Sequence, residues 1–160
     1  MFSKATDEWA TPQDTFDALD AEFGFMLDAA ATSENAKAPA YITQAVNALT
    51  VSWLEWIYGN DGDPREVGLT PTVWLNPPYS KCREFIAKAA EEARKGCTVV
   101  CLVPSRTDTR WWHEHVWDRE QHNPRHGVEV RFIKGRLKFG GATAGAPFPS
   151  VVIVFRPVLP

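Results

Sequence analysis

Apolar positions along the chain switch between helical and strand periodicity, and their order predicts the architecture. In TPQDTFDALDAEFG, residues 11–24, the aromatic and aliphatic side chains Phe16, Leu19 and Phe23 recur at helical spacing. Thr11 is placed to cap, Pro12 suits a first helical position, acids fill the first turn and Gly24 ends the run, so an amphipathic helix is expected. FMLDAAAT follows as a short apolar run, expected to be a first strand with Asp28 at its carboxyl end. The pattern then weakens: AYITQAVNALTVSW has room for a strand or a helical turn, and YGNDGDPREVG is a loop by its Gly, Asp, Asn and Pro.

Thr72, Val73, Trp74 and Leu75 read as a buried strand that Asn76-Pro77-Pro78 must stop, because proline supplies no ladder donor and restricts the residue before it. SKCREFIAKAAEEARKG is expected to be a helix with Phe85, Ile86, Ala89, Ala90 and Ala93 inward and Gly96 just past its end. CTVVCLVP is an uninterrupted buried strand. Thr107 or Asp108 is placed to cap a short helix in SRTDTRWWHEHVW, whose Trp111, Trp112 and Trp117 read mainly as core, and DREQHNPRH reads as a polar loop. VEVRFI and VVIVF are the last strands, joined through a KGRLKFGG turn and ATAGAPFPS.

Helices alternating with apolar strands predict an α/β fold: a mainly parallel sheet with helices on both faces and an antiparallel pair at the C-terminal end. One domain over residues 1–160 suits this length, with 44% hydrophobic and 23% charged residues. In open sheets of this kind ligands bind beyond the carboxyl ends of the strands. Asp28, the Asn76–Tyr79 segment and Pro104-Ser105 are expected along that edge.

No apolar run reaches the ~20 residues of a membrane span, and MFSKATDEW lacks a basic-then-apolar signal, so a cytoplasmic location is expected. Cys82, Cys97 and Cys101 form no Cys-x-x-Cys pair and read as reduced core thiols. His113, His115, His122 and His126 have no cysteine at ligand spacing, and no metal site is expected. Net charge is -3, but residues 1–70 hold 3 basic and 12 acidic side chains while residues 71–160 hold 14 basic and 8 acidic. The excess is densest in RHGVEVRFIKGRLKFGG, where Arg125, Arg131, Lys134, Arg136 and Lys138 face one acid, Glu129, and alternate with Phe132 and Phe139. Such a segment suits a phosphate backbone and splayed bases, unless it is only a solvated strand face.

An Asn-Pro-Pro-Tyr exit at a sheet edge has its own chemistry. The Asn76 amide oxygen and the Pro77 carbonyl are acceptors held in place by rigid prolines, and two such acceptors can grip both hydrogens of an exocyclic amine. Pulled toward tetrahedral geometry, the amine becomes nucleophilic at a nearby methyl donor. Tyr79 offers a ring face to a base extruded from its stack.

N-P-P-Y matches the [DNS]-P-P-[YFW] signature of S-adenosylmethionine-dependent amino methyltransferases, and the chain resembles small phage-type, Dam-like DNA N-6-adenine methyltransferases. The resemblance runs through EWATPQDTFDALDAEFGFMLDAAAT, ENAKAPAYIT, NALTVSW, VWLNPPYS, VPSRTDTRWWHEHV, RFIKGRLKFGG and APFPSVVIVF. It implies a Rossmann-like methyltransferase fold and S-adenosylmethionine as cofactor, with double-stranded DNA as partner in a bacterial host cell. It places Trp9, Thr11 and Pro12 in a segment closing over the cofactor, Asp28 and Ala29 at the first cofactor motif, and Asn76, Pro77, Pro78 and Tyr79 at the reacting amine, with Asn76 also near the cofactor. Arg106, Arg136 and Lys138 are implied contacts to DNA, with Phe139 against the flipped base. No Gly-x-Gly follows Asp28 and no separate target-recognition domain is visible. Sequence specificity would come from short loops, an added partner domain or a homodimer. Cytosine N-4, an RNA base or a protein amide are alternative acceptors, and a DNA-binding module without catalysis is the alternative of another class.

Overall fold

The computed structural model describes residues 10–59 and 62–158. Three helices occur among them: α1 (Gln13–Phe23), α2 (Trp53–Tyr58) and α3 (Cys82–Lys95). The strands are β1 (Leu27–Asp28), β2 (Ala40–Tyr41), β3 (Thr72–Leu75), β4 (Thr98–Pro104), β5 (Trp117–Asp118), β6 (Asn123–Pro124), β7 (Val128–Phe132) and β8 (Ser150–Phe155). Six of these strands make one sheet in the order β2-β1-β3-β4-β8-β7. Neighbours from β2 through β4 are parallel, whereas β8 is antiparallel to both β4 and β7. The expected mixed α/β sheet is therefore present, with its one reversed strand inserted between two that run together.

Strand alternation sends side chains to two cores. Leu27, Val73, Leu75, Val99, Cys101 and Ile153 pack with Trp53, Ile86, Ala89 and Trp112 on the side of α2 and α3. Trp74, Val100, Leu102, Val152 and Val154 pack with Phe16, Leu19 and Phe25 on the side of α1, where Phe139 and Phe148 complete the layer. Burying each such large apolar side chain contributes roughly 1.5–3 kcal/mol before entropy is counted. All three cysteines are buried and free, as expected.

The cap expected from Thr11 is not made. Pro12 sits just before α1 in an extended conformation with no side-chain cap, and the Thr11 hydroxyl is engaged elsewhere. At the far end Gly24 adopts the left-handed φ of 63° that glycine reaches without a Cβ clash, and its N–H donates to the Asp20 carbonyl at 2.8 Å. That turn aims the chain directly into β1.

Two segments differ from their sequence reading. The strand expected within AYITQAVNALTVSW is present as β2, but helix α2 runs on from Trp53 to Tyr58, where no helix is expected, because two contacts hold its start: the Ser52 hydroxyl accepts from the Glu55 N–H, and buried Glu92 of α3 accepts from the Trp53 N–H at 3.1 Å. Lys88 neutralises Glu92 at 2.8 Å within the same helix. The DREQHNPRH stretch is not a plain loop, for β5 and β6 pair across it as a two-residue hairpin ladder. Before it, residues Trp112–Val116 wind as a π-helical turn with no side-chain cap from Thr107 or Asp108. Trp111 and Trp112 are buried there, in keeping with a packing role. Among the described residues no helix is long and apolar enough to cross a membrane.

Candidate active site

The carboxyl ends of β1, β3 and β4 lie side by side, so Asp28, Asn76 and Ser105 open onto one edge. Asp28 is 3% exposed. One of its carboxylate oxygens accepts from the Ala30 N–H at 3.3 Å and the other from the Lys37 N–H at 3.0 Å. Burial pushes this carboxyl up to about 6, against the opposing pull of those two amides and the Lys37 charge. Ala29, fully buried, donates its N–H to the Trp74 carbonyl at 3.0 Å and so continues the ladder to β3. The loop held by Asp28 folds back on α1, where Lys37 Nζ donates to Gln13 Oε1 and lies 5.9 Å from the centre of the Phe16 ring.

On the adjacent strand, Asn76-Pro77-Pro78-Tyr79 leaves β3 and enters a short 3-10 turn, Tyr79–Lys81, whose Lys81 N–H donates to the Pro78 carbonyl at 2.9 Å. Pro77 is buried, and Asn76 and Tyr79 are half-buried. Asn76 Nδ2 donates to Thr11 Oγ1 at 3.0 Å, and Thr11 is 5% exposed. The Tyr79 ring meets Phe148 edge-on at 5.3 Å and 79°, and Phe139 at 6.3 Å and 85°. Burial raises the Tyr79 phenol far above its ordinary value, with the nearby Cys82 adding to the shift. Tyr79 is thus a neutral ring and hydroxyl, unsuited to act as a base near neutral pH.

The connection from β7 to β8 arches over this edge. Ala146 donates its N–H to the Leu137 carbonyl at 2.8 Å, closing the arch, and Arg136 Nη1 donates to the Ala146 carbonyl at 3.2 Å. At its tip Gly140 donates to the Ala10 carbonyl at 2.9 Å, so the arch touches the segment that carries Thr11. Phe139 is buried, while Lys134, Arg136 and Lys138 are exposed. Arg106 is also exposed, just past β4, in a turn where its carbonyl accepts from the Thr109 hydroxyl at 2.7 Å.

The basic run is not one continuous face. Arg131 forms a two-pronged ion pair with Glu22 at 2.6 and 2.7 Å and also contacts Glu129, which in turn takes Arg156 at 2.7 Å. Arg125 donates to the His113 carbonyl. Both arginines are engaged in holding elements together, and Arg136 is tied in part to the Ala146 carbonyl; Lys134, Arg136, Lys138 and Arg106 are among the exposed cations near the edge.

Thr11, Asn76, Tyr79 and Phe139 therefore come together from three separate stretches, with Asp28 one strand away; Pro12 flanks Thr11, and Trp9 lies outside the described residues. Phe148 and Lys37 were not singled out from sequence. Phe148 stands between two prolines and reads as turn, and Lys37 acts through its backbone N–H, which carries no side-chain signal. Among the described residues no group of three or more His, Cys, Asp or Glu is assembled to hold a metal.

A mixed sheet with an acid ending one strand and Asn-Pro-Pro-Tyr ending the next is consistent with a methyltransferase fold. The chain belongs to the DNA N-6-adenine-methyltransferase (Dam) family, which residues 2–158 match. It is similar to a DNA N-6-adenine-methyltransferase of Escherichia phage T1, 32% identical over 165 residues that cover 94% of this chain and 63% of the relative. It is also similar to a DNA N-6-adenine-methyltransferase of Haemophilus phage HP1, 28% identical over 163 residues that cover 96% of this chain and 81% of that relative. The chain thus spans less than two thirds of the first relative's length. Membership of a methyltransferase family implies chemistry dependent on S-adenosylmethionine.

Proposed function

We propose that this chain transfers a methyl group from S-adenosylmethionine to the N-6 amine of an adenine extruded from double-stranded DNA. The observation that carries the reading is the placement of Asn76 and Tyr79 at a sheet edge one strand from the buried Asp28. The register Asp28↔Trp74 puts Asn76 two residues further out on the neighbouring strand. With strands ~4.8 Å apart and ~3.3 Å per residue, the two side chains leave the sheet roughly 8 Å apart, a span suited to a methyl donor beside its acceptor.

The residues fit the cofactor. A carboxyl that burial makes reluctant to ionise is a good partner for an ammonium, because the pair restores its charge without water. Asp28 would hold the amino group of the methionine part, with Ala29 and the backbone after it alongside, while Thr11, Pro12, Asn76 and, by family resemblance, Trp9 border the same site. When bound, S-adenosylmethionine supplies an electrophilic methyl group on a sulfonium sulfur.

The protein's part is to grip and orient. Asn76 Oδ1 and the Pro77 carbonyl accept the two hydrogens of the amine, which draws its lone pair out of the ring. Pro77 and Pro78 keep both acceptors in place. Tyr79 offers its ring to the base, with Phe139 and Phe148 packed against it. Neither an amide nor a backbone carbonyl retains a proton, and the Tyr79 phenol is no base, so the proton displaced from the amine leaves to water. Arg106, Arg136 and Lys138 meet phosphates around the opened duplex. The reading takes residues 1–160 as one Rossmann-like domain working on DNA in the cytoplasm of a bacterial host, where methylation would shield phage DNA from restriction, as a monomer or a homodimer.

The test is transfer of tritium from methyl-labelled S-adenosylmethionine to unmethylated double-stranded DNA, followed by nucleoside analysis. Label in N-6-methyladenine is expected. Label in N-4-methylcytosine would move the acceptor, and no label despite calorimetric binding of the cofactor would overturn DNA as substrate in favour of RNA or a protein amide.

A further inference from the structure

An asparagine that grips an amine works only while its oxygen faces that amine, since its amide ends in one acceptor and one double donor. In this protein the donor end has a specific partner. Asn76 Nδ2 donates to Thr11 Oγ1 at 3.0 Å across 65 positions of sequence, and Thr11 is 5% exposed. The helix cap that a threonine before Pro12 would ordinarily make is not formed, so the hydroxyl is available to Asn76. The segment carrying it is itself fixed, because the Ala10 carbonyl next door accepts from Gly140 N–H at 2.9 Å.

We propose that Thr11 is a positioning residue of the reaction: its hydroxyl oxygen holds the Asn76 amide by Nδ2 so that Oδ1 is presented to the target amine, and the Ala10–Gly140 contact ties that anchor to the arch above the base. The inference rests on the functional reading above and gives Thr11 a task distinct from a border to the cofactor. Without the anchor the amide turns, and a donor then faces the two amine hydrogens. Phe139, adjacent to Gly140, packs against Tyr79 at 6.3 Å, so seating of the aromatic cluster and alignment of the amide share one short piece of chain.

The experiment compares Thr11→Val, which keeps the shape and loses the hydroxyl, with Thr11→Ser, which keeps the hydroxyl. Misalignment of a reacting group costs up to about 100-fold, so Thr11→Val should lower kcat roughly 10- to 100-fold. Its calorimetric Kd for S-adenosylmethionine and KM for DNA should stay within about threefold of wild type, and Thr11→Ser should recover most of the rate. A carboxylate presents acceptors at both ends, so in an Asn76→Asp background the same Thr11→Val change should cost much less.

The proposal is overturned if Thr11→Val turns over like wild type, if Thr11→Ser is equally impaired, or if the whole loss appears in the cofactor Kd. A second measurement does not need turnover: the side-chain NH2 resonances of Asn76 in the 15N-labelled free protein should shift and lose exchange protection in Thr11→Val. Unchanged resonances would overturn the anchor. If the wild-type protein makes no N-6-methyladenine while those resonances shift as expected, the functional reading fails and the anchor stands.

Discussion

Asp28 of β1 lies in register with Trp74 of β3, and the same β3 strand delivers Asn76 two residues later. An acid and an amide are thereby held at a fixed offset by a parallel ladder, with no loop between them to absorb error. Ala29 N–H extends the ladder to the Trp74 carbonyl at 3.0 Å. If the two side chains serve cofactor and acceptor, substituting either should affect a different constant.

Asn76→Ala should lower transfer by at least about 100-fold, the scale seen when one preorganised group at the reacting centre is removed. Cofactor affinity should remain nearly unchanged in the same variant. Tritium transfer alongside calorimetry separates the two quantities, and near-wild-type turnover would sink the assignment of Asn76.

Asp28 governs a pH dependence. Its folded carboxyl is pushed up to about 6 from the ordinary 3.8 by burial. Because the folded value is the higher one, its contribution to stability is fully present below the unfolded value near 4 and is lost as pH rises through about 6. The loss is on the order of 3 kcal/mol. Pairing with the cofactor's ammonium needs the ionised form, so affinity for S-adenosylmethionine should rise with pH through about 6 and proton release should accompany binding there. Titration calorimetry in buffers of different ionisation enthalpy reads both effects. A flat profile between pH 5 and 7, or a wild-type Kd in Asp28→Ala, removes Asp28 from the cofactor site.

For Tyr79 the ring and the hydroxyl make opposite predictions. The phenol stays protonated, so Tyr79→Phe should hold kcat within about threefold, the range expected when no proton transfer is lost. Tyr79→Ala removes a stacking surface worth about 1–3 kcal/mol and should lower kcat/KM roughly 5- to 150-fold. Melting curves run beside the assay show whether the loss exceeds that of folding.

The basic side chains should divide into two groups. Replacing Lys134, Arg136 or Lys138 by alanine is expected to reduce the salt dependence of DNA binding by about one ion per phosphate contact removed. Arg131→Ala breaks the contacts to Glu22 and Glu129 and should lower the melting temperature while leaving the salt slope alone. Equal salt slopes for Lys138→Ala and wild type would exclude that lysine from the DNA path.

Arg131 also shows what sequence could not reveal. It reads as part of a basic run because charge is counted locally, yet its partner Glu22 is 109 positions away. Thr11 is similar: a threonine before a proline and an acidic turn looks like a cap, and only the fold brings Asn76 to it. What was legible has a local cause. VWL, CTVVCLVP and VVIVF are apolar runs between breakers, and each is a strand of the sheet. Asp28 and Asn76 were found because they end such runs. Helix α2, six residues long, was missed because the Glu92 carboxylate that holds its start comes from α3.

The reversed strand β8 has a consequence for how such a protein changes over time. A strand running with its neighbours would have had to be reached from the opposite end of the sheet, behind the site. Because β8 runs the other way, the chain leaves β7 and re-enters the sheet at the same end, and everything between Phe132 and Ser150 overhangs the site. Insertions, deletions and charge changes in that overhang leave each strand's pairing untouched. Away from Phe139, Gly140 and Phe148, which touch the site, the overhang can therefore vary while the acid, the amide and the prolines beneath keep their places.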